Sequence, residues 1–228
     1  MDLKFERIEP LFKEAFPYLQ QQRVAVVGLG GVGGICAEAL VRSGISKLVI
    51  VDFDKIEESN INRQNVALVS TLGQLKSEVL AKRLYDINPN LKLRVHSVFL
   101  NKANVEAILG DCVAVVDAID NVKAKMELIS YAVNANKVFI SSMGMGNRLD
   151  PTKLEVSTIS KTYNDPFAKQ IRLKSKELGL KDYKVVFSSE LPKKDSEVLT
   201  SFMPVTSTAG LILAAEIISD LVRRNEDE

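Results

Sequence analysis

The 228-residue chain has no tryptophan, one histidine and two cysteines, Cys36 and Cys112. The cysteines form no CxxC pair, which argues against a disulfide framework and against a thiolate zinc site. We expect both to be small core residues rather than nucleophiles, and the chain to occupy a reducing compartment. The histidine, His96, falls in a strand-like run, and we assign it no catalytic role.

The chain also lacks an excess of either charge sign, since its formal net charge is +1. No overall electrostatic field therefore indicates a nucleic-acid or membrane partner. The charges are nevertheless unevenly distributed: residues 153–194 hold ten Lys and Arg against five Asp and Glu, whereas residues 195–228 hold two against seven. A basic segment of this kind is most often a solvated surface.

Long uninterrupted apolar runs are missing as well. The most apolar late stretch, residues 202–213, contains Pro204 and Gly210 and is too short and too mixed to span a bilayer. The charged N-terminal residues lack the apolar core of a signal peptide. We therefore predict a cytoplasmic protein with no membrane association.

What the chain does contain is a regular alternation of short Val/Ile/Leu runs with helical patterns, which is typical of a parallel sheet covered on both faces. The predicted strands are 24–27, 47–51, 91–98, 113–116, 138–141, 154–159 and 184–187; the predicted helices run from the glycine cluster to 43, then 75–85, 103–109, 122–135, 166–176 and about 207–224. We predict an α/β fold with a Rossmann-like, doubly wound, mostly parallel sheet. A single domain would cover 1–228, with a nucleotide-binding core at about 1–145 and a substrate-side extension at about 146–228.

A glycine cluster follows the first predicted strand and opens a helix; its glycines are Gly28, Gly30, Gly31 and Gly33. Glycines let the backbone approach a phosphate, and a helix N-terminus offers unpaired N–H donors. Asp52 ends the next strand, where a carboxylate can accept hydrogen bonds from ribose hydroxyls. These features predict a nucleotide site without identifying the nucleotide. A nicotinamide dehydrogenase is the commoner use of such a loop, and a glycine turn without a ligand is the remaining alternative.

Further polar residues stand where an apolar core has no use for them. They are Ser59, Asn60, Arg63 and Gln64 after the second strand, Lys76 at a helix start, and Asp120 and Asn121 after the fourth strand. An Arg, a Lys and an Asp at the ligand-binding edge of the sheet suit a triphosphate with Mg²⁺. Taken singly, Arg63 also fits a surface ion pair, Lys76 a solvated residue, and Asp120 a helix N-cap.

These elements together resemble the ubiquitin-activating superfamily of adenylating enzymes. The resemblance rests on Gly28–Gly33, Asp52–Asp54, Glu58–Gln64, Gly73–Lys76, Ile87–Pro89 and Asp117–Asn121, with eleven residues from Asp52 to Arg63, thirteen more to Lys76 and forty-four more to Asp120. It implies ATP as the nucleotide, bound by the glycine loop, Asp52, Asp54 and the polar residues named above. Asp52 would hold the ribose, Arg63 and Lys76 the phosphates, and Asp120 the Mg²⁺.

The segment Phe5-Glu6-Arg7 resembles the N-terminal motif of the same superfamily. The resemblance implies that Arg7 reaches into the ATP site of a partner subunit, and therefore that the protein is a homodimer. The catalytic set would then be Arg7, Arg63, Lys76 and Asp120. An ordinary solvent-facing role for Arg7 is the alternative.

Within the superfamily, the chain is most similar to the tRNA threonylcarbamoyladenosine dehydratase group. It lacks the zinc-binding CxxC pairs of the carrier-protein enzymes, and no cysteine follows Cys112 to build a thioester. Residues 144–151, 161–166 and 186–190 resemble segments of the dehydratases, although the loop between Glu190 and Phe202 is shorter than in typical members. A tRNA substrate would meet the basic residues of the extension, which are Lys161, Lys169, Arg172, Lys174, Lys176, Lys181 and Lys184.

The implied reaction begins when the threonyl carboxylate of the modified adenosine attacks the α-phosphorus of ATP and pyrophosphate leaves. The carbamoyl group then closes a ring on the activated carbonyl and releases AMP, so no enzyme nucleophile is required. Two alternatives stay open: a zinc-free adenylating enzyme for a ubiquitin-like sulfur carrier, and a scaffold that senses ATP without turnover. A partner from a sulfur-transfer or cysteine-desulfurase system is also left open.

Overall fold

The structure is a computed structural model, and it describes residues 3–193 and 198–227. Its strands are β1 Arg23–Val27, β2 Lys47–Val51, β3 Lys92–His96, β4 Ala114–Asp117, β5 Val138–Ser142, β6 Leu154–Thr158 and β7 Lys184–Ser188. Its α-helices are α1 Glu9–Phe12, α2 Ala15–Gln21, α3 Gly33–Arg42, α4 Lys76–Ile87, α5 Val105–Leu109, α6 Val122–Asn134, α7 Pro166–Glu177 and α8 Met203–Asp227. Short 3₁₀ turns lie at Leu3–Phe5, Glu58–Asn60, Val69–Thr71, Pro151–Lys153 and Ile159–Lys161.

The strands form one sheet in the order β3-β2-β1-β4-β5-β7-β6. All neighbouring pairs are parallel except β6 and β7, which are antiparallel. The order reverses between β1 and β4, and this reversal creates the crevice in which doubly wound folds bind ligands. The predicted fold class, a Rossmann-like and mostly parallel sheet, is confirmed.

The apolar runs of the strands are continuous because each face of the sheet is covered by helices. Along β1, Val24 and Val26 belong to the core beneath α3, α4 and α8, whereas Ala25 and Val27 belong to the core beneath α5, α6 and α7. All four side chains are almost fully buried. A strand buried on both faces has no polar side, which explains why these runs do not alternate.

The last helix, α8, is longer than the sequence predicted. It begins at Met203 rather than about Ser207, because Pro204 occupies its first turn, where a missing backbone N–H breaks no helical bond. Among the described residues, Met203–Glu226 is the one helix long and apolar enough to cross a membrane, with a mean hydropathy of 1.6. The apolar stretch predicted from the sequence, residues 202–213, covers only the first part of this helix. Half of that window is buried within the protein, where Ala209, Leu213 and Ile217 face the core.

The loop after β1 approaches the loop after β4 so closely that a side chain does not fit between them. Gly28 has a φ of +86°, and a Cβ added there would lie 2.6 Å from the carbonyl oxygen of Ala118. The φ value alone disfavours an L-residue, and the contact adds a steric clash with backbone. Gly28 therefore sets the distance between the two loops that border the crevice.

Gly28→Ala should destabilise the fold more than Gly73→Ala, which serves as a matched control. Gly73 has a similar φ of +78°, but an added Cβ would meet nothing within 4 Å. We expect about 1–2 kcal/mol of lost unfolding free energy for Gly73→Ala from φ alone. For Gly28→Ala we expect about 1–3 kcal/mol more, because the clash with Ala118 overpacks the crevice. Urea denaturation measures both, and equal losses would show that the contact with Ala118 does not matter.

Candidate active site

A cavity of about 950 Å³ lies at the carboxyl ends of the central strands, between the glycine loop and the C-terminal extension. Of the residues predicted to bind nucleotide or metal, the cavity wall contains Gly28, Gly30, Gly31, Asp52, Asp54, Asn60, Arg63, Gln64, Lys76, Asp120 and Asn121. The wall is completed from the extension by residues that include Gly144–Arg148, Asp165–Phe167, Lys193, Thr200 and Thr206. The fold thus brings together side chains that are more than a hundred positions apart in the sequence.

The glycine loop is fixed to the end of β2 by Asp52, which is 8% exposed. Its Oδ2 accepts the N–H of Leu29 at 2.6 Å, and its Oδ1 accepts the N–H of Asp54 at 2.8 Å. Burial raises the pKa of Asp52, and the two N–H donors with nearby Lys76 oppose that shift. Asp52 therefore shapes the loop itself, while each oxygen keeps a lone pair for a further donor.

The two predicted phosphate-binding cations already have partners in the chain. The Nζ of Lys76, a residue 6% exposed, lies 2.7 Å from Oδ2 of Asp54. The Nη1 of Arg63 donates to the carbonyl of Ser59 at 2.8 Å and to Oδ1 of Asn62 at 3.0 Å. Both cations line the cavity, so an entering anion would compete with Asp54 for Lys76.

Two amide side chains of the same segment are buried beside the glycine loop. Asn60 is 7% exposed, and its Oδ1 accepts the N–H of Glu57 at 3.2 Å. Gln64 is 6% exposed, and its Oε1 has no hydrogen-bond partner among the described residues. A Cβ added at Gly30 would lie 3.7 Å from the Nε2 of Gln64, so this amide is near the loop.

The helix α6 is capped by Asn121, not by Asp120. Oδ1 of Asn121 accepts the N–H of Ala124 at 3.1 Å, the hydrogen bond expected of an N-cap residue. The alternative reading of Asp120 as the cap is therefore wrong. Its exposed carboxylate is available at the cavity wall.

A buried ion pair that the sequence analysis missed supports the loop carrying Asp120. The side chains of Asp117 and Lys125 are both fully buried, with Oδ2 and Nζ 2.8 Å apart. Asp117 also accepts the N–H of Ile119 at 3.0 Å and the hydroxyl of Ser141 at 2.7 Å, and Lys125 donates to the carbonyl of Ile119 at 2.9 Å. The pair therefore holds both polar groups of the Ile119 backbone and fixes the direction in which the loop leaves β4.

Three predicted site residues do not belong to the wall of this cavity in the described chain: Arg7, Gly33 and Ser59. Gly33 packs beneath the loop, where an added Cβ would overlap the carbonyl oxygen of Gly28. Ser59 is exposed, and its hydroxyl contacts Glu57 and Asn60. Arg7 is exposed in the turn after Leu3–Phe5, so its own chain does not deliver it to the cavity.

The extension contributes polar groups to the cavity wall that were not among the predicted site residues. Asp165 caps α7 by accepting the N–H groups of Phe167 and Ala168, and it also accepts the N–H of Gly144 at 2.9 Å. Asp165 before Pro166 is a recognisable N-cap signal. Arg148 is 3% exposed and lines the same wall; it lies in residues 144–151, whose resemblance to a dehydratase segment assigned it no role.

The cysteines and the histidine lie where the sequence placed them. Cys36 and Cys112 are buried and form no disulfide, and burial raises the pKa of both thiols, that of Cys112 to about 11. A thiol with a raised pKa is a poor nucleophile at neutral pH. His96 ends β3 away from the cavity wall, and burial, with a smaller contribution from Arg94, lowers its pKa.

The cavity contains few carboxylates that could serve as protein ligands for a magnesium ion. Asp54 and Asp120 line the cavity, and the described residues contain no group of three or more His, Cys, Asp or Glu that could hold a metal by itself. Mg²⁺ typically takes one or two carboxylates and completes its shell with water and substrate phosphates. The donor set therefore fits a magnesium ion that arrives with a nucleotide, and not a preformed metal cage.

The geometry agrees with a family model that spans almost the whole chain. The model described as the ThiF family matches residues 6–228. The chain belongs to the ThiF family.

Among ThiF relatives, the tRNA threonylcarbamoyladenosine dehydratase of Bacillus subtilis is 35% identical over 231 residues, covering 92% of this chain and 91% of the relative. The Haemophilus influenzae protein of the same name is 40% identical over 156 residues, covering 68% of this chain and 59% of its own length. The crystal structure of the E. coli tRNA N6-threonylcarbamoyladenosine dehydratase, TcdA, in complex with ATP superposes with a TM-score of 0.93 at 30% identity, covering 100% of this chain and 98% of that one.

Lys125→Met should strongly destabilise this ThiF chain, because it leaves the carboxylate of Asp117 buried without its cation. Breaking one side of a buried pair typically costs about 3–5 kcal/mol. The double variant Asp117→Asn/Lys125→Met removes both charges and should recover more than half of that loss. Unfolding in urea at neutral pH measures each variant.

Lys123→Met is the matched control, because Lys123 is exposed on the same helix. Its unfolding free energy should stay within about 0.5 kcal/mol of the wild-type value. A Lys125→Met variant as stable as this control, or a double variant that loses as much as Lys125→Met alone, would contradict the role assigned to the ion pair.

Proposed function

We propose that this ThiF-family chain is an ATP-dependent tRNA threonylcarbamoyladenosine dehydratase. The observation that carries the proposal is the cavity at the sheet crevice, whose wall joins a glycine loop and two phosphate-suited cations to residues of the extension. The near full-length similarity to tRNA threonylcarbamoyladenosine dehydratases, including one solved with ATP, supports modified tRNA and ATP as the two substrates. The whole chain would act as one adenylating domain, with residues of about 1–145 binding nucleotide and about 146–228 forming the substrate side.

ATP would bind with its phosphates against the glycine loop. Gly30, Gly31 and Val32 line the cavity immediately before α3, whose first N–H groups have no partner within the helix. Lys76 and Arg63 would neutralise phosphate oxygens, and Asp52 would accept from the ribose with its remaining lone pairs. Asn60, Gln64 and Asn121 would complete the nucleotide wall with hydrogen bonds, as the resemblance to the superfamily implies.

Magnesium would be held by Asp120, with Asp54 nearby and the remaining ligands from phosphate and water. The bound ion would neutralise charge on the leaving pyrophosphate. Asp54 would then give up its ion pair with Lys76 and lie near the metal. Lys76 would thereby become free to contact a phosphate oxygen. One carboxylate would thus hold the lysine in place until ATP arrives.

The chain would contribute positioning and charge, and the substrates would contribute the reacting groups. The threonyl carboxylate attacks the α-phosphorus and pyrophosphate leaves, giving an acyl-adenylate. The carbamoyl nitrogen of the same modification then attacks the acyl carbon, loses its proton, and displaces AMP as the ring closes. The buried cysteines take no part in this route.

The tRNA would contact exposed lysines of the extension through its phosphates. Lys161, Lys169, Lys174, Lys176 and Lys181 are exposed. Lys184 was wrongly counted among them, because its Nζ is paired with Glu216 and Asp220 of α8 at 3.0 and 2.7 Å. Arg172 is partly engaged as well, since its Nη1 donates to the carbonyl and the hydroxyl of Thr162.

The protein would work as a cytoplasmic homodimer, with Arg7 of each subunit completing the ATP site of the other. The exposed position of Arg7 outside its own cavity supports a trans arrangement. A protein of a sulfur-transfer or cysteine-desulfurase system is a further candidate partner. The shortened loop between Glu190 and Phe202 borders the substrate side, and its residues 194–197 lie outside the described part of the chain.

Incubation of the protein with modified tRNA, ATP and Mg²⁺ should convert the nucleoside to its dehydrated, cyclic form and release AMP, as measured by nucleoside mass spectrometry. Asp120→Ala should lower the rate by on the order of a hundredfold or more, because it removes an electrostatic contact to the transition state. Asp86→Ala, at an exposed carboxylate of α4, is the control and should keep wild-type activity. Unchanged tRNA together with pyrophosphate exchange on a diglycine-ended carrier would favour the sulfur-carrier alternative instead.

Arg7→Ala and Lys76→Ala should each be nearly inactive alone, yet mixing them should restore activity if Arg7 acts across the dimer. Random equal exchange produces heterodimers with one site intact and one doubly defective. Up to about a quarter of wild-type activity is then expected from the subunit combinatorics of a two-fold oligomer. Failure to recover activity, with subunit exchange verified by native mass spectrometry, would overturn the trans assignment.

A further inference from the structure

The loop from Gly144 to Asp150 is held rigidly against the cavity by carboxylates at both of its ends. At its start, the N–H of Gly144 donates to Asp165 at 2.9 Å. At its end, the N–H groups of Leu149 and Asp150 both donate to Glu190 at 3.0 Å. Each carboxylate is therefore occupied by backbone donors, and the loop has little freedom to move.

The centre of the loop is fixed in an uncommon backbone conformation. Asn147 has a φ of +60°, which lies in the left-handed region that few non-glycine residues adopt. Its Oδ1 accepts both the N–H and the hydroxyl of Thr200 at 2.9 Å, and its own N–H donates to the carbonyl of Thr200 at 3.0 Å. The residue that follows, Arg148, is consequently held in one place before any ligand binds.

Arg148 presents a buried guanidinium that the chain itself satisfies only in part. The residue is 3% exposed and lines the cavity. Its Nη2 donates to the carbonyl of Asn164 at 3.0 Å, whereas Nε and Nη1 have no hydrogen-bond partner among the described residues. Burial lowers the pKa of Arg148, and Asp165 and Glu190 oppose that shift without bonding to it.

Buried donors without partners are rare in folded proteins, because each forfeits its hydrogen bond to water. A guanidinium remains charged at any physiological pH and can only be completed by an acceptor. Among the described residues no acceptor bonds to Nε or Nη1, although Asp165 and Glu190 lie nearby, so an acceptor that completes them would come from the cavity that Arg148 lines. An anionic oxygen is the strongest acceptor available to it.

We propose that Arg148 binds the carboxylate of the acyl substrate and holds it for attack on the α-phosphorus of ATP. This assignment rests on the proposed function. A carboxylate that approaches a triphosphate is repelled by it, and a fixed cation on the acyl side offsets that repulsion. The carboxylate that is activated therefore has its own binding residue, separate from the residues that hold the nucleotide.

The position of Arg148 in the sheet distinguishes this role from binding of the ATP phosphates. Arg63 and Lys76 follow β2, whereas Arg148 follows β5, and these strands are three places apart in the order β2-β1-β4-β5. At a strand spacing of about 4.8 Å, the two strand ends lie roughly 14 Å apart. The glycine loop after β1 lies between them, so Arg148 is on the far side of the phosphates from Arg63 and Lys76.

Burial distinguishes the role from binding of tRNA backbone phosphates. A phosphate of the tRNA chain is tethered at the molecular surface, where the exposed lysines of the extension meet it. The guanidinium of Arg148 is instead enclosed at the cavity wall. Only a group that projects from the tRNA into the cavity can reach it, as the threonyl carboxylate of the modified adenosine would.

Arg148→Gln tests the assignment, with Arg83→Gln as the control because Arg83 is exposed and already paired with Glu38. For Arg148→Gln, kcat/KM toward modified tRNA should fall by on the order of 10- to 100-fold, since one charged hydrogen-bonding group is lost. The Kd for ATP, measured by calorimetry, should stay within about twofold, as Arg148 does not touch the nucleotide. Arg83→Gln should keep wild-type values for both quantities.

The change in Tm on replacement distinguishes a ligand-binding arginine from a purely structural one. Because Arg148 is partly unsatisfied without ligand, Arg148→Gln should leave the Tm unchanged or raise it, whereas a structural arginine would lower the Tm when replaced. Arg148→Ala should also regain activity when guanidinium ion is added at millimolar concentration. A lowered Tm with no rescue would assign Arg148 to the fold and overturn the proposal.

Two further ligands separate the possible sources of the anion. The free nucleoside N6-threonylcarbamoyladenosine carries the carboxylate without phosphates, and unmodified tRNA carries phosphates without the carboxylate. Weaker binding of the nucleoside alone by Arg148→Gln supports the proposal, whereas weaker binding of unmodified tRNA overturns it in favour of a phosphate contact.

If wild-type protein leaves modified tRNA unchanged, the proposed function fails and the carboxylate assignment fails with it. If the wild type and Arg148→Gln convert tRNA equally, only the assignment of Arg148 fails.

Discussion

The site depends on the buried ion pair between Asp117 and Lys125. Both side chains are inaccessible to solvent, and together they hold the N–H and the carbonyl of Ile119 at the end of β4. The backbone so fixed is also the surface against which Gly28 packs, since Ala118 leaves no room for a Cβ there. One electrostatic contact thus sets the loop that carries Asp120 and the position of the glycine loop across the crevice. Such a pair is costly to bury, so we assign it a role in orienting the loop rather than in net stability.

Around this fixed crevice, the polar groups of the cavity differ in how far the chain satisfies them. Lys76 is paired with Asp54, and Arg63 is bonded to its own loop, so both are stable without ligand and must exchange partners to meet phosphate. Arg148 instead keeps two nitrogens without partners in the described structure. The cavity therefore has two distinct ends. At the nucleotide end, the cations have protein partners that a phosphate could replace, and at the acyl end Arg148 has donors that await an acceptor. This division suits a reaction that brings a carboxylate to a triphosphate.

The sequence predicted the features that depend on local pattern. The buried strands, the glycine loop after β1 and most helix starts follow from periodicity and turn chemistry, whereas the start of α8 did not. It failed where the contact is long-range: Lys184 looks like another surface lysine until α8 brings Glu216 and Asp220 to it. Lys125 and Arg148 are likewise distinguished from solvated cations only by their burial, which local sequence pattern does not predict. Asp120 was the cap candidate from the sequence, and only the geometry of α6 shows that Asn121 is the cap.

Activation of a carboxylate by adenylation is tested most directly by the transfer of an oxygen isotope from substrate to AMP. Modified tRNA with ¹⁸O at both oxygens of its threonyl carboxylate would be incubated with the protein, ATP and Mg²⁺, and the mass of the AMP product measured. Attack of the carboxylate on the α-phosphorus places one of its oxygens in the bridge to the phosphate, and ring closure leaves that oxygen on AMP. We predict AMP that carries one ¹⁸O atom for each cyclised nucleoside. Cyclised nucleoside with unlabelled AMP, or with ADP as the product, would contradict the account.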